Sequence, residues 1–349
     1  MKKPHFSIVI PVYNGAKTIG ETIGSILSQS FTDFELIVQD NDSDDDTARI
    51  VSAYSDPRVK YYKNSSNLGY SQNLREGKKN CLGDILFLMA ADDILLEDAL
   101  DNTHSAFRLD ENVGAVTRPY YWYTKDVGKP VRETPRFSTG QNEVVSIDDK
   151  FSRVSLVLNN EILGQLSGLA VRMKFVDTDY SDDPWISHGY PLASIFKKHP
   201  VVFLKDDSIA VRIGMNETRK SSTYDCSPMK CWVDLFEKIY YESEFEEIKS
   251  KCIREIVAVN YIGLVQIKNF GKYSSLLKEV FYLIRYRWTN IFSLSYWFFS
   301  LGTLIVPSSI LLQMVDWYKE KRGVWLTKNF YITFNFCPRP NEILVIYGK

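Results

Sequence analysis

The chain has 349 residues, of which 45% are hydrophobic and 24% charged, a composition typical of a folded protein with a buried core. Its 42 Lys and Arg residues nearly balance its 43 Asp and Glu residues, which argues against a protein that binds nucleic acid over its whole surface. Its five cysteines form no metal-ligand motif, so we expect neither a zinc site nor a disulfide framework.

The first 110 residues alternate apolar strands with helical patterns. Short apolar runs predict strands at residues 7–12, 34–38, 59–63 and 85–89, and helices are expected at residues 19–27, 47–54 and 71–80. Thr18 and Glu21 have the spacing of a capping box for the first helix. Strands separated by such short helices predict a parallel, doubly wound α/β sheet with right-handed crossovers.

Three polar clusters follow three of these strands, at Pro11 to Asn14, Asp40 to Ser43 and Ala91 to Asp93. Ligands of such sheets bind beyond the carboxyl ends of the strands. Each cluster alone could be a set of turn residues and helix caps. Because the topology brings all three to one edge, we expect a binding site there.

The second part of the chain is less regular. Residues 114–145 contain three prolines and the aromatic run Tyr120 to Tyr123, and we expect loops and strands that cover the site. Short strands are predicted at residues 201–204 and 208–213, and helices at residues 227–240 and 245–266.

Three segments in this order carry a family resemblance: SIVIPVYNGAKTIGETIGSILSQSFTDFELIVQDNDSDDDT, NSSNLGYSQN and GDILFLMAADDIL. They resemble the nucleotide-sugar-binding half of a family-two inverting glycosyltransferase with the GT-A fold. The resemblance implies a Rossmann-like, mostly parallel sheet, with residues 1–110 binding the nucleotide sugar and residues 111–220 binding the acceptor. It also implies transfer of a sugar from a donor such as a UDP-sugar, with inversion, in the synthesis of a bacterial surface polysaccharide.

The resemblance assigns residues to the nucleotide base. Asp40 would accept a hydrogen bond from the imide N–H of the base, and Pro11, Val12 and Tyr13 would form an apolar wall beside it. Tyr13 could instead be an ordinary core aromatic residue. Ala91 belongs to the same nucleotide-binding set.

Further residues would bind the rest of the donor. Asn67 and Gly69 match an Asn-x-Gly loop that lies beside the nucleotide in the family. Arg75 and Arg212 stand where they could reach the phosphates. Arg75 could instead lie on a solvated helix face, and Arg212 could be a surface strand residue.

The family holds Mg2+ or Mn2+ with an Asp-x-Asp motif, because a hard cation neutralises the charge that develops on the diphosphate. Here Ala90 stands in place of the first aspartate, which weakens the expected ribose contact. Asp92 occupies the metal-binding position and Asp93 follows it, so both are predicted metal ligands. The alternative is that they cap a helix at residues 94–100.

The general base is less well defined. In the family it is an aspartate of an acidic motif before an apolar helix, but His188 and Gly189 stand in that place here. His188 has a suitable ordinary pKa. Asp182 and Asp183, just upstream, are the alternative bases.

The C-terminal part suggests contact with a membrane. Residues 221–285 read as a helical extension, and residues 286–349 as an apolar and basic tail. Residues 291–315 carry no charge and are long enough to span a bilayer, but serines and Pro307 favour an in-plane or re-entrant interfacial segment. Residues 268–328 contain 9 basic and 3 acidic residues, whereas residues 1–110 contain 11 basic and 17 acidic residues. A buried helix pair is the alternative.

We therefore expect a peripheral or monotopic enzyme at the cytoplasmic face of the cell membrane, since the N-terminal segment lacks the apolar run of a secretory signal. Its partners would be a nucleotide-sugar donor, a glycan or lipid-linked acceptor and the membrane surface, without nucleic acid. Because Ala90 replaces an aspartate and the acidic motif is missing, one alternative function is that of a catalytically impaired nucleotide-binding protein. A membrane-anchored scaffold is the other.

Overall fold

The chain divides into two units, Met1–Arg212 and Ile213–Lys349. A computed structural model describes residues 3–134, 140–213 and 221–311. The finer boundaries expected after residues 110, 220 and 285 stay predictions.

The first unit alternates strands and helices. In chain order its elements are β1 (Phe6–Val12), α1 (Ile19–Leu27), β2 (Phe34–Asp40), α2 (Thr47–Ser52), β3 (Val59–Lys63), α3 (Tyr70–Lys79), β4 (Ile85–Leu88), β5 (Ile94–Leu95), α4 (Ala99–Phe107), β6 (Ala115–Thr117), β7 (Tyr120–Tyr123), β8 (Arg132–Glu133), β9 (Glu143–Val145), α5 (Phe151–Leu158), α6 (Asn160–Leu163), β10 (Ala170–Arg172), α7 (Gly189–Phe196), β11 (Val201–Phe203) and β12 (Ile209–Arg212). The strands and helices predicted in the first 90 residues are all present, with ends shifted by a few residues.

Eight strands form the main sheet, in the order β3-β2-β1-β4-β10-β6-β11-β9. The first four are parallel, with Val12 opposite Asp40 and Asp40 opposite Lys63. The predicted α/β sheet is present and four of its seven pairings are parallel, but it is mixed, because β10 runs antiparallel to both β4 and β6, and β9 to β11. β10 follows a turn at Gly168, whose amide donates to the carbonyl of Leu88 at the carboxyl end of β4, so the chain must run back along β4.

The core lies on both sides of this sheet. β2 is buried along its whole length, and the side chains of β1 are buried except at Pro11, which is partly exposed. Helix α1 buries Ile19, Ile23 and Ile26, which recur at helical spacing. This two-sided burial explains why the strands are continuous apolar runs in the sequence.

Two local predictions are wrong. Residues 94–100 do not begin as a helix, because Ile94–Leu95 pairs antiparallel with β12 in a second sheet of order β5-β12-β7-β8, and α4 begins only at Ala99. The capping box of α1 is also absent. Thr18 is the N-cap residue without a side-chain cap, and Glu21 pairs instead with Arg212.

The second unit is helical. Its helices are α8 (Pro228–Ile239), α9 (Glu246–Val259), α10 (Gly263–Phe270), α11 (Tyr273–Tyr286) and α12 (Leu294–Ile305). The single helix expected at residues 245–266 is divided by a 3-10 turn at Asn260–Ile262. Of the apolar segment 291–315, residues 312–315 lie outside the described part. Among the residues that the structure describes, none of the helices combines the length and hydropathy needed to cross a bilayer.

Candidate active site

The loops after β1 and β2 are joined by hydrogen bonds at the edge where the parallel strands end. The amide of Asn14 donates to Ser43 Oγ at 2.8 Å, and that of Gly15 to Thr47 Oγ1 at 2.9 Å. Asn14 and Asp42 have positive φ angles of 55° and 67°, a conformation that Asn and Asp tolerate better than most residues. The two polar clusters are thus one structure, as their strand-end positions predict.

Asp40 lies at the base of these loops and is fully buried. One carboxylate oxygen accepts the amide of Ser43 at 2.8 Å, and the other accepts the hydroxyl of Tyr61. The carboxylate therefore organises the loop in this structure, and its predicted contact with a base would require an opening of this arrangement. Pro11 and Tyr13 are partly exposed at the same edge.

Val12 and Ala91 meet at Gly15. A Cβ atom at Gly15 would lie 2.5 Å from Val12 Cγ2 and 3.7 Å from Ala91 Cβ. Val12 is buried, whereas Ala91 is partly exposed. The buried Val12 side chain therefore leaves no room for a Cβ atom at Gly15, whereas the distance to Ala91, which follows β4, is an ordinary van der Waals contact.

Side-chain amides support the loop that contains Asn67 and Gly69. Asn64 Nδ2 donates to Asn41 Oδ1 at 3.0 Å and to Asn73 Oδ1 at 2.9 Å, and Asn41 Nδ2 donates to Asn67 Oδ1 at 2.9 Å. Asn41 Oδ1 also accepts the amide of Leu68, and Asn67 Oδ1 that of Gly69. We call the side chains of Asn41, Asn64, Asn67 and Asn73 the amide network.

Arg75, on α3, faces acidic residues of its own unit. Its Nη1 lies 2.6 Å from Asp182 Oδ1, its Nε lies 3.5 Å from Asp179 Oδ2, and Nη2 donates to the carbonyl of Tyr180. Its side chain is therefore held against residues 179–182. A role in binding phosphate stays a prediction and would compete with these contacts.

Asp92 and Asp93 follow β4 and have different surroundings. Asp93 is buried, and its carboxylate accepts Ser167 Oγ at 2.6 Å and the amide of Arg212 at 3.0 Å. Asp92 is partly exposed, and no other residue among those described donates a hydrogen bond to its carboxylate. Burial raises the pKa of both carboxyl groups, and the charge of Asp92 raises that of Asp93 further.

Arg212 ends β12 beside these two carboxylates. Its Nε donates to the carbonyl of Asp92 at 3.1 Å, and its guanidinium lies 5.0 Å from the centre of the Tyr123 ring. Nη2 donates to Glu21, whose side chain is mostly exposed. The structure therefore brings the predicted residues Asp92, Asp93 and Arg212 together.

The residues present fit a divalent cation bound with the help of a ligand. Among the described residues, no three His, Cys, Asp or Glu side chains gather as a complete metal cage. Mg2+ usually needs only one or two carboxylates plus substrate phosphates. Asp92 supplies a carboxylate whose charged form is destabilised by burial and which another positive charge would stabilise. Both oxygens of Asp93 are already engaged, so Asp92 is the better-suited ligand of the pair.

His188 lies at the N-terminus of α7 and is buried. Its Nδ1 forms a hydrogen bond of 2.9 Å with the Tyr70 hydroxyl, and its ring also interacts with the backbone of Leu163 and Gly164. Burial lowers its pKa to about 4, which makes it a weaker base than an exposed histidine. These features count against His188 as the base, although the role stays a prediction.

The alternative bases differ from each other. Asp183 Oδ1 accepts the amides of Trp185 at 2.9 Å and Ile186 at 2.7 Å, so its carboxylate stabilises the turn before α7. The side chain of Asp182 is 89% exposed and pairs with Arg75. Asp183 is partly exposed and both of its oxygens accept hydrogen bonds, so Asp182 is the more accessible of the two.

Three residues of this region were not predicted from the sequence. Tyr61 binds the Asp40 carboxylate, Ser167 binds that of Asp93, and the fully buried Arg118 donates to the carbonyl of Gln165 at 2.8 Å. Burial lowers the pKa of Arg118 to about 10. Gly168, next to Ser167, has a positive φ, but this conformation follows from the fold and is not visible in the sequence.

Comparison with known proteins identifies the family. The model of glycosyl transferase family 2 matches residues 7–178, which contain both strand-end loops and Asp92. Residues 7–178, just under half of the chain, are therefore a region of this family. The structure adds the mixed sheet and the second sheet to what the family resemblance predicts.

Curated relatives match the first part of the chain. A UDP-Glc:alpha-D-GlcNAc-diphosphoundecaprenol beta-1,3-glucosyltransferase of Escherichia coli, WfgD, is 34% identical over 95 residues, which are 27% of this chain and 38% of that protein. The chain spans about a third of the length of the first curated relatives that it matches.

Solved structures share the fold over most of the chain. TarS of S. aureus, in complex with UDP-GlcNAc, is similar with a TM-score of 0.60 at 14% identity, covering 91% of this chain and 93% of that one. The mannosyltransferase PcManGT of Pyrobaculum calidifontis, in complex with GDP-Man and Mn2+, has a TM-score of 0.51 at 15% identity, covering 88% of each chain.

Proposed function

We propose that this protein transfers a sugar from a nucleotide-sugar donor, such as a UDP-sugar, to a glycan or lipid-linked acceptor with inversion. One observation carries the proposal. The loops that end β1, β2 and β4 meet at one edge of the sheet, and the partly exposed carboxylate of Asp92 lies there beside Arg212. Sheets of this kind bind their ligands at that edge.

In this proposal the donor lies along the joined loops. Pro11 and Tyr13 contact the base, and the amide network fixes the loop of Asn67 and Gly69 beside it. Asp40 then acts chiefly by holding the amide of Ser43 in place. The polar groups are fixed before the ligand arrives, which reduces the entropy lost on binding.

Asp92 is the residue proposed to hold Mg2+ or Mn2+ together with the donor diphosphate. A bound cation would neutralise the charge that develops on the leaving diphosphate. Arg212 can add a second positive charge, because its guanidinium lies next to the backbone of Asp92. The support for a metal comes from the Asp92 carboxylate, which accepts no hydrogen bond from another described residue, and from the Mn2+ bound to PcManGT.

The general base has three candidates. Asp182 is favoured, because its carboxylate is exposed, whereas Asp183 stabilises a turn and His188 is buried with a lowered pKa. Asp182→Asn keeps the size of the side chain and removes its basicity. If Asp182 is the base, transfer falls on the order of a hundredfold or more while donor binding stays intact. Unchanged transfer would show that another residue is the general base.

The acceptor is proposed to be lipid-linked and the protein to act at the cytoplasmic face of the membrane. WfgD, by its name, acts on a diphosphoundecaprenol-linked sugar. An enzyme on the membrane surface would share a two-dimensional space with such an acceptor. Assembly of a bacterial surface polysaccharide is the proposed setting.

A donor panel tests the proposed function. We expect one or a few UDP-, GDP- or TDP-sugars to raise the melting temperature of the full chain in the presence of Mg2+ or Mn2+, and less so with chelator. Slow, metal-dependent hydrolysis of the same donor would separate an active enzyme from an impaired nucleotide-binding protein. If no nucleotide sugar stabilises the chain with either metal, the proposal is wrong.

A further inference from the structure

Large hydrophobic side chains are exposed on one stretch of the second unit. Of the 19 large hydrophobic residues that are exposed in the described part of the chain, 12 lie between residues 273 and 310. Leu294 is 88% exposed, Ile305 75% and Phe292 74%. We call this set the apolar face; its members are Tyr273, Leu277, Phe281, Trp288, Ile291, Phe292, Leu294, Trp297, Phe298, Leu301, Ile305 and Ile310.

Helix α12 has the reverse of the usual arrangement of a water-soluble helix. Its buried residues are Tyr296, Ser300 and Thr303, of which two are small and polar. Its exposed residues include Leu294, Phe298, Leu301 and Ile305, which recur at helical spacing. An amphipathic helix on the surface of a soluble protein buries the apolar stripe instead. The outward stripe of α12 therefore needs an apolar partner.

Specific hydrogen bonds fix this orientation. The Tyr296 hydroxyl donates to the carbonyl of Val280 on α11 at 3.2 Å, and Thr303 Oγ1 donates within α12 to the carbonyl of Phe299 at 2.7 Å. Before α12, Asn290 Nδ2 donates to the carbonyl of Leu283 at 2.7 Å, and Asn290 Oδ1 accepts the Tyr261 hydroxyl at 2.8 Å. Turning the apolar stripe inward would break the bond between Tyr296 and Val280, whereas the Thr303 bond lies within α12 and the Asn290 bonds order the turn before it.

The same stretch is suited to a negatively charged surface. Residues 263–311 contain five basic residues and one acidic residue. The acidic residue, Glu279, is buried and binds Ser227 Oγ and the amide of Met229. Lys278 and Arg285 are exposed on α11, the helix that also carries Leu277 and Phe281. Anionic lipids attract such residues, and tryptophan is favoured at the boundary between lipid and water.

We propose that the apolar face is an interfacial membrane-binding surface. A leaflet that contains anionic lipid receives the outward side chains of α11, α12 and the turn between them, and none of the described helices crosses the bilayer. This occupant is favoured because it matches both the apolar stripe and the surrounding positive charge. The inference deepens the proposed function, on which it rests for its biological role, by naming a membrane surface as the partner. Vesicle binding can nevertheless be measured without donor or acceptor.

The experiment uses the full chain and vesicles of phosphatidylcholine, with or without phosphatidylglycerol. We expect the chain to float with the anionic vesicles and to bind the neutral ones less. The variant Leu294→Ser/Phe298→Ser/Ile305→Ser should bind anionic vesicles at least roughly tenfold more weakly. Lys278→Gln/Arg285→Gln should lose roughly fivefold per charge. The matched control is Leu82→Ser/Leu109→Ser, which removes two exposed leucines of the first unit and should bind normally.

The outcomes separate this inference from the proposed function. The triple serine variant changes only exposed side chains, so its melting temperature should stay within a few degrees of the parent. A full chain that ignores both vesicle types, or a triple variant that binds as well as the parent, overturns the inference. So does a dimer that the triple variant dissociates, because a second copy would then cover the face. If the chain binds vesicles but no nucleotide sugar, the membrane-binding surface is supported and the proposed function is wrong.

Discussion

Ser167 joins the end of β4 to Asp93. Its Oγ accepts the amide of Ala90 at 2.9 Å and donates to Asp93 Oδ2 at 2.6 Å. Asp93 in turn accepts the amide of Arg212 at 3.0 Å. The backbone on either side of Asp92 is therefore fixed by a serine more than 70 residues away along the chain.

Ser167→Ala should destabilise the first unit. The substitution leaves the amide of Ala90 and one oxygen of Asp93 without their partner, and an unsatisfied buried group costs about 1–3 kcal/mol. A urea titration should show that loss in the free energy of unfolding. Ser52→Ala, at an exposed position of α2, is the control and should change it little. Equal stability of the two variants would contradict the role given to Ser167.

Asp92→Asn should separate stability from function. Burial raises the pKa of Asp92, so its charged form costs stability, and the neutral amide should leave the melting temperature unchanged or slightly higher. Loss of the carboxylate should remove metal-dependent stabilisation by the donor and lower transfer on the order of a hundredfold or more. Retained transfer in tightly chelated conditions would exclude Asp92 as a metal ligand.

His188 should make stability fall in mild acid. The unfolded chain binds a proton at this residue below its ordinary pKa near 6.5, whereas the folded chain does so only near pH 4. Stability therefore falls as pH is lowered from about 6.5 to about 4, by about 3 kcal/mol from this group. His188→Gln should reduce that dependence, because glutamine does not titrate. Melting curves at pH 7 and pH 5 provide the comparison, and parallel shifts of parent and variant would contradict the expectation.

The amide network should control the loop of Asn67 and Gly69, which is proposed to bind the donor. Asn64→Ala removes the hydrogen bonds to Asn41 and Asn73 and should weaken binding of a nucleoside diphosphate roughly tenfold. Asn80→Ala is a matched control: Asn64 and Asn80 each form a hydrogen bond with the side chain of Gln39, but Asn80 lies just after the C-terminal end of α3. Hydrogen exchange at the amide of Leu68, which donates to Asn41, gives a readout that requires no ligand. Equal exchange in both variants would contradict the role of Asn64.

The edge of the sheet could be predicted because each strand is a continuous apolar run followed at once by polar residues. That pattern places Asp40 and Asp92 at the carboxyl ends of two strands. It does not reveal that Tyr61 binds Asp40, because that contact depends on the register of β3 beside β2. The pairing of Ile94–Leu95 with β12 likewise depends on a strand more than 100 residues later.

The sequence shows that the tail is apolar, but it does not show which side of its helix is exposed. Leu294, Phe298 and Leu301 form a stripe at helical spacing, and such a stripe ordinarily predicts the buried side. In the structure Tyr296, on the opposite side of α12, is buried and bonds to α11, so the stripe lies outward. Contacts of this kind are tertiary, so no local pattern could have identified the exposed side.

The amide network determines under which conditions the loop of Asn67 and Gly69 keeps its shape. Every link between Asn41, Asn64, Asn67 and Asn73 joins uncharged groups. Side-chain amides do not titrate in the physiological range, and salt screens charges rather than such bonds. The shape of the loop should therefore not depend on pH or ionic strength. The interaction between Asp92 and Arg212 should depend on both.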